Sequence, residues 1–102
     1  MPWKAVAQRG QFVNGRQVVT VAGEKFPVLL LEVGEEVFAI ADVCTHDRNP
    51  LSDGPLQGDQ LVCSRHGARF NIRTGQATLP APRPVKAYRA RLEGEEVLLE
   101  LP

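Results

Sequence analysis

Apolar residues in this chain recur in short runs, not at helical spacing. Val18-Val19-Thr20-Val21, Phe26 to Val33, and Val37 to Ala41 are dense in β-branched and aliphatic side chains. Such residues fit a pleated, partly buried surface. Polar pairs punctuate the runs. Asn14-Gly15 follows Phe12-Val13 and is a strong short-range hairpin signal. Gly34-Glu35 separates Leu29–Val33 from Glu36–Ile40, and Gly94-Glu95 separates Tyr88–Leu92 from Glu96–Leu101. The segments Val33-Gly34-Glu35-Glu36-Val37 and Glu93-Gly94-Glu95-Glu96-Val97 look alike, which predicts two similar hairpins and not a sequence repeat. No segment of ten or more residues shows convincing helical periodicity. Many short strands at close spacing predict an all-β fold, a sandwich or a small barrel.

The middle of the chain breaks this pattern. Between the predicted strand ending at Ala41 and the last hairpin, Gly and Pro are frequent, and all the Cys and His residues of the chain fall here. Asp53-Gly54 and Thr74-Gly75 are turn signals. Pro80-Ala81-Pro82-Arg83-Pro84 is a stiff extended stretch before the final hairpin. A loop-rich insert on a rigid β scaffold is where a site is built.

Composition narrows the function classes. The 102 residues suffice for one domain with its own core. The formal net charge is zero, so no global charge favours nucleic acid or a membrane surface. No 18-residue apolar run is present, so no bilayer-spanning helix is expected. The start, Met-Pro-Trp-Lys-Ala-Val, lacks the apolar core of a secretory signal, and a soluble cytoplasmic protein is expected. Locally the balance shifts. Cys44 to Arg83 carries +2 (Arg48, Arg65, Arg69, Arg73, Arg83 against Asp47, Asp53, Asp59), and the remainder carries −2.

The chemistry lies in Cys44-Thr45-His46 and, with sixteen residues between, Cys63-Ser64-Arg65-His66. Two thiolates and two imidazoles are what a [2Fe–2S] cluster needs when two His replace two Cys on one iron. A structural zinc site accepts the same donors, but its usual spacings pair Cys with Cys and His with His. A Cys–His nucleophile pair uses one of each and leaves the second pair unexplained. Gly67 follows His66 and lets backbone approach a sulfide, and Phe70 is placed to close one wall against water. Trp3, Phe12, Phe26 and Phe38 read as strand-packing residues. Arg65 and Arg69 are candidates for partner contact, and Pro80 and Pro82 for shielding.

Cys-Thr-His at 44–46, followed by Cys-Ser-Arg-His-Gly-Ala-Arg-Phe at 63–70, resembles the Rieske [2Fe–2S] family. The similarity is greatest to the small ferredoxins of bacterial aromatic-ring oxygenase systems. It extends through Pro50-Leu51-Ser52-Asp53-Gly54, Arg73-Thr74-Gly75, the Pro-rich stretch and the final hairpin. The resemblance implies an antiparallel β-sandwich base (1–42 and 85–102) carrying a small loop-rich cluster-binding subdomain (43–84). It implies one [2Fe–2S] cluster per chain, with Cys44 and Cys63 on the buried iron and His46 and His66 on the outer iron. The implied partners are a flavin-dependent, NAD(P)H-oxidising ferredoxin reductase and a terminal non-haem iron oxygenase. The extra loop cysteines of high-potential Rieske proteins are absent; Arg65 stands at one of those positions. Ala68 and Phe70 occupy the places where those proteins carry Ser and Tyr hydroxyls. This predicts a low potential, about −150 mV. No His remains for the 2-His-1-carboxylate site of an oxygenase, and no Gly-x-Gly-x-x-Gly motif supports a nucleotide domain. Electron carriage, not catalysis, is therefore expected. Two alternatives stay open: the Rieske small subunit of a nitrite reductase-like complex, and a zinc-stabilised interaction module.

Overall fold

The computed structural model describes residues 3–45, 48–63, 67–79, 81 and 83–101. Among these the chain forms ten strands: β1 (Trp3–Gln8), β2 (Arg16–Val19), β3 (Val28–Val33), β4 (Glu36–Ala41), β5 (Leu56–Gln57), β6 (Gln60–Val62), β7 (Arg69–Asn71), β8 (Ala87–Tyr88), β9 (Ala90–Glu93) and β10 (Glu96–Glu100). One 3₁₀ turn, Arg9–Gln11, follows β1. The strands form three antiparallel sheets, ordered β1-β10-β9, β2-β3-β4-β8 and β5-β6-β7. No helix among the described residues is long and apolar enough to cross a membrane.

The hairpin signals resolve as read. Val13 and Arg16 bridge across Asn14-Gly15, and each backbone N–H donates to the other's carbonyl at 2.9 and 3.0 Å. Gly34-Glu35 closes β3 onto β4 with Val33 opposite Glu36, and Gly94-Glu95 closes β9 onto β10 with Glu93 opposite Glu96. Three details differ. The segment before Arg9 is a strand, β1, which pairs with β10 and lacks the apolar run that would have marked it. Thr20, Val21, Phe26 and Pro27 lie outside the strands, in the connection from β2 to β3. Tyr88–Leu92 is not one strand. Tyr88 pairs with Ala39 in the middle sheet and Ala90 with Leu99 in the outer one, so the chain changes sheets at Arg89.

Strand β3 explains the architecture. Val28, Leu29, Leu30 and Leu31 are all buried, so the run is apolar on both faces. Val28 and Leu30, with Val37 and Ala39 of β4, pack against Val97 and Leu99 of β10. Leu29 and Leu31, with Ile40, pack the other way, against Leu61, Phe70 and both cysteines. The middle sheet thus serves two cores. Each fully buried aliphatic side chain contributes roughly 1.5–3 kcal/mol. Phe12, Phe26 and Phe38 are only half-buried, at the margins of these cores, and Trp3 is half-buried beneath the Arg91 guanidinium. Phe70 is the fully buried aromatic.

Two glycines permit close backbone approaches, Gly54 beside the segment leading to Cys63 and Gly75 beside the segment leading to β8. A Cβ at Gly54 would lie 2.0 Å from the Val62 carbonyl oxygen, and one at Gly75 would lie 2.0 Å from that of Val85. Gly54→Ala should therefore destabilise the fold by about 1–3 kcal/mol through forced backbone displacement. Gly10→Ala, with nothing near its Cβ, should stay within about 0.5 kcal/mol of the parent. Urea denaturation of the two variants checks this; equal midpoints would contradict it.

A charged pin joins the β2–β3 connection to β8. Glu24 accepts from Lys86 Nζ at 2.8 Å and from the Tyr88 hydroxyl. The Lys86 bond, then the Tyr88 bond, holds the Glu24 carboxyl below its ordinary value of 4.5. Burial, then Glu24, pushes the Tyr88 hydroxyl upward. A depressed carboxyl pKa stabilises the fold above the unfolded value and loses that contribution as pH falls through the folded one. From neutral pH to about pH 3.5, Glu24→Gln should therefore lose less stability than the parent. Urea midpoints across that range measure it, and parallel losses would contradict the assignment.

Candidate metal centre

Cys44 and Cys63 are buried at 0% and 3% exposure, and neither forms a disulfide. Both lie in the core shared with β3 and β4, among Leu29, Leu31, Ile40, Val43, Leu51 and Phe70. The loops that begin at these cysteines are closed in the same way. Cys44 N–H donates to the Asn49 carbonyl and Cys63 N–H to the Ala68 carbonyl, each at 2.7 Å. In return, Arg48 N–H donates to the Cys44 carbonyl at 2.7 Å and Gly67 N–H to the Cys63 carbonyl at 3.0 Å. The bonds run from the cysteine to the fifth residue on, and from the fourth residue back, in both loops.

The match continues in the backbone and the core. The fourth residue after each cysteine is left-handed, Arg48 at φ 65° and Gly67 at φ 75°. Gly67 adopts this without steric cost. Arg48 does not, and its conformation is held by the closing bonds. The seventh residue after each cysteine is a fully buried plug, Leu51 in the first loop and Phe70 in the second. The described parts of the two loops are near-copies, and the sequence of each contains one histidine, His46 or His66. Those two side chains lie outside the described residues, as do Arg65, Pro80 and Pro82. Among the described residues no three His, Cys, Asp or Glu converge. A set of four donors therefore requires His46 and His66 beside the two buried thiols.

Side chains from three directions fix the first loop. The buried Asp42 carboxylate accepts from the Leu51 and Ser52 N–H groups, both at 2.8 Å. Arg16 of β2 reaches over and donates to the Ser52 and Gly54 carbonyls at 2.7 and 2.6 Å. Thr45 Oγ1 donates to the Arg83 carbonyl at 2.6 Å and ties the loop to the Pro-rich segment. The second loop is held through β7. Arg69 N–H donates to Thr78 Oγ1, and Thr78 N–H returns a bond to the Arg69 carbonyl, both at 2.9 Å. The Arg69 guanidinium donates to Gln57 at 2.7 Å. Asp42, Arg16 and Thr78 lie outside the Cys–His motif. The motif could not single them out, because each acts on backbone brought near only by folding.

The walls around the thiols are apolar. Ala68 and Phe70 are fully buried in the same core as both cysteines, and neither offers a hydroxyl. Soft donors at the starts of two matched, water-excluding loops fit an iron–sulfur group.

Comparison with known proteins agrees. Residues 2–89 match the model of the Rieske [2Fe-2S] domain. The ferredoxin component of biphenyl 2,3-dioxygenase from Rhodococcus jostii (strain RHA1) is 43% identical over 76 residues, covering 74% of this chain and 71% of that one. The solved ferredoxin of carbazole 1,9a-dioxygenase from Nocardioides aromaticivorans IC177 superposes with a TM-score of 0.85 at 30% identity, over the full length of both chains. A second solved ferredoxin, captured in complex with the oxygenase of carbazole 1,9a-dioxygenase, gives a TM-score of 0.82 at 30% identity. It covers 97% of this chain and 93% of its own. With its fold, its buried thiols and these relatives together, the chain belongs to the Rieske [2Fe–2S] family and is an electron carrier of the ferredoxin kind.

Proposed function

We propose that Cys44 and Cys63 ligate one iron of a single [2Fe–2S] cluster, and that His46 and His66 ligate the other. The matched closure of the two cysteine loops carries this reading. It presents one thiol and one imidazole from each loop to a common centre. In this reading residues 43–84 form the cluster-binding unit, and 1–42 with 85–102 form its base. The bound cluster supplies a one-electron couple. The chain's own residues hold the donors, exclude water and set the surrounding polarity. Leu51 and Phe70 close the cysteine side. In sequence, His46 and His66 fall within the two loops, and this reading puts the electron's exit on the histidine-bound iron.

The reading extends to partners. The chain accepts one electron from a flavin-dependent, NAD(P)H-oxidising reductase and delivers it to a terminal non-haem iron oxygenase. The solved carbazole dioxygenase complex, in which a related ferredoxin sits on its oxygenase, supports this. The cytoplasm suits such a carrier, because thiols stay reduced there and available to metal. Ala68 and Phe70 provide no hydroxyl to the cluster's sulfurs. Fewer such bonds stabilise the reduced state's added negative charge less. The midpoint is therefore set near the low end of the Rieske range, about −150 mV.

Metal and sulfide analysis, with EPR of the dithionite-reduced protein, tests the reading. Two irons and two acid-labile sulfides per chain are expected, with a reduced-state signal and a midpoint below zero by voltammetry. Zinc without sulfide would overturn the ligand assignment. A midpoint well above zero would overturn the role given to Ala68 and Phe70.

A further inference from the structure

The cations of the described residues divide sharply by how they are used. Arg73 pairs with Glu36 and Asp59, Arg89 with Glu100, Arg91 with Glu93, and Lys86 with Glu24. Arg9 pairs with Glu32. Arg16 is engaged with the Ser52 and Gly54 carbonyls, and Arg69 with Gln57. The open groove beside Val13 and Pro55 therefore presents no free cation, and the aromatic groove between Trp3 and Phe38 holds arginines already matched by acids. Lys4 on β1, like Lys25, Arg48 and Arg83, has no such partner among the described residues, but it stands alone, whereas the other three cluster. Their side chains have no ion pair or hydrogen bond among the described residues, and all three line one cavity of about 160 Å³ with Phe26, Val43 and Thr45.

The position of this notch gives it meaning. Val43, Thr45 and Arg48 belong to the first cysteine loop and its approach, and the loop is tied to Arg83 through Thr45. Its three cations therefore border the segment that contains His46. The neighbouring acid, Glu24, does not neutralise Lys25, because its carboxylate is engaged by Lys86 and Tyr88. Lys25 Nζ lies 5.4 Å from the centre of the Phe26 ring. The ring supplies an apolar floor and the cations a rim. The cavity is well below the roughly 300 Å³ at which small-molecule sites begin, but it suits a single side chain.

We propose that this notch receives a carboxylate side chain from an acidic redox partner, with its methylenes on Phe26 and its oxygens among Lys25, Arg48 and Arg83. The contact orients the partner over the first loop. It rests on the placement of the cluster between the loops. Charge complementarity of this kind acts chiefly on encounter rate and register. It therefore predicts a strong ionic-strength dependence.

The holoprotein is tested with two protein probes of opposite charge, acidic ferricytochrome b5 and basic ferricytochrome c. The chain has three lysines, Lys4, Lys25 and Lys86, so carbodiimide coupling to the carboxylates of cytochrome b5 maps the contact directly. Cross-links at Lys25 in preference to Lys4 are expected at low salt, and they should be lost in Arg48→Glu/Arg83→Glu. Lys25→Glu, which lies outside both cysteine loops, should keep the visible spectrum, reduce cytochrome b5 several-fold more slowly at low salt and reduce cytochrome c faster. Coupling at Lys4 as often as at Lys25, or unchanged rates, would overturn the notch. Failure of the parent protein to reduce either cytochrome would instead contradict electron carriage, while the cross-link map would still decide the notch.

Discussion

Four backbone hydrogen bonds close the two cysteine loops, and the remainder of the cysteine end is arranged around them. Each loop must begin at a buried thiol, turn within six residues and return a plug to the core. The bonds from Cys44 to Asn49 and Arg48, and from Cys63 to Ala68 and Gly67, impose that path twice. Leu51 and Phe70 then occupy equivalent places beneath the thiols. Asp42, Arg16 and Thr78 hold the loops from outside, through backbone contacts and not through the thiols. The middle sheet is indispensable to this arrangement, because Leu29, Leu31 and Ile40 share one core with both cysteines.

The same packing sets the electronic surroundings. An apolar enclosure with few donors favours the state of lower charge, and so lowers the affinity of a bound cluster for an electron. Ala68 and Phe70 stand where hydroxyls would raise it. Among the described residues, Lys25, Arg48 and Arg83 beside the first loop have no acidic partner, while the other described arginines are matched by acids or engaged by carbonyl groups. A protein with zero formal net charge thus presents three cations around one notch beside the first cysteine loop.

The parts readable in the sequence are those with local causes. The two-residue turns at Asn14, Gly34 and Gly94 and the apolar runs of β3 and β4 depend on neighbours within a few positions. The Cys–His spacing marked both loops because no other Cys or His competes for attention. What escaped depends on distant partners. β1 is a strand because β10 offers it an edge, and Tyr88 leaves the last hairpin because Ala39 pairs with it. Short strands β5–β7 are stabilised by packing under the loops, in a segment whose Gly and Pro suggest only turns. Gly54 was legible as a turn residue, but the approach of the Val62 carbonyl, which excludes any side chain there, was not.

The central claim is that the two matched loops deliver both histidines, with both cysteines, to one cluster. Because the chain contains two histidines in all, labelling them with nitrogen-15 makes every histidine ligand visible. Pulsed EPR of the dithionite-reduced, labelled protein should show two strongly coupled nitrogen-15 nuclei. A single coupled nucleus, or none, would contradict the account.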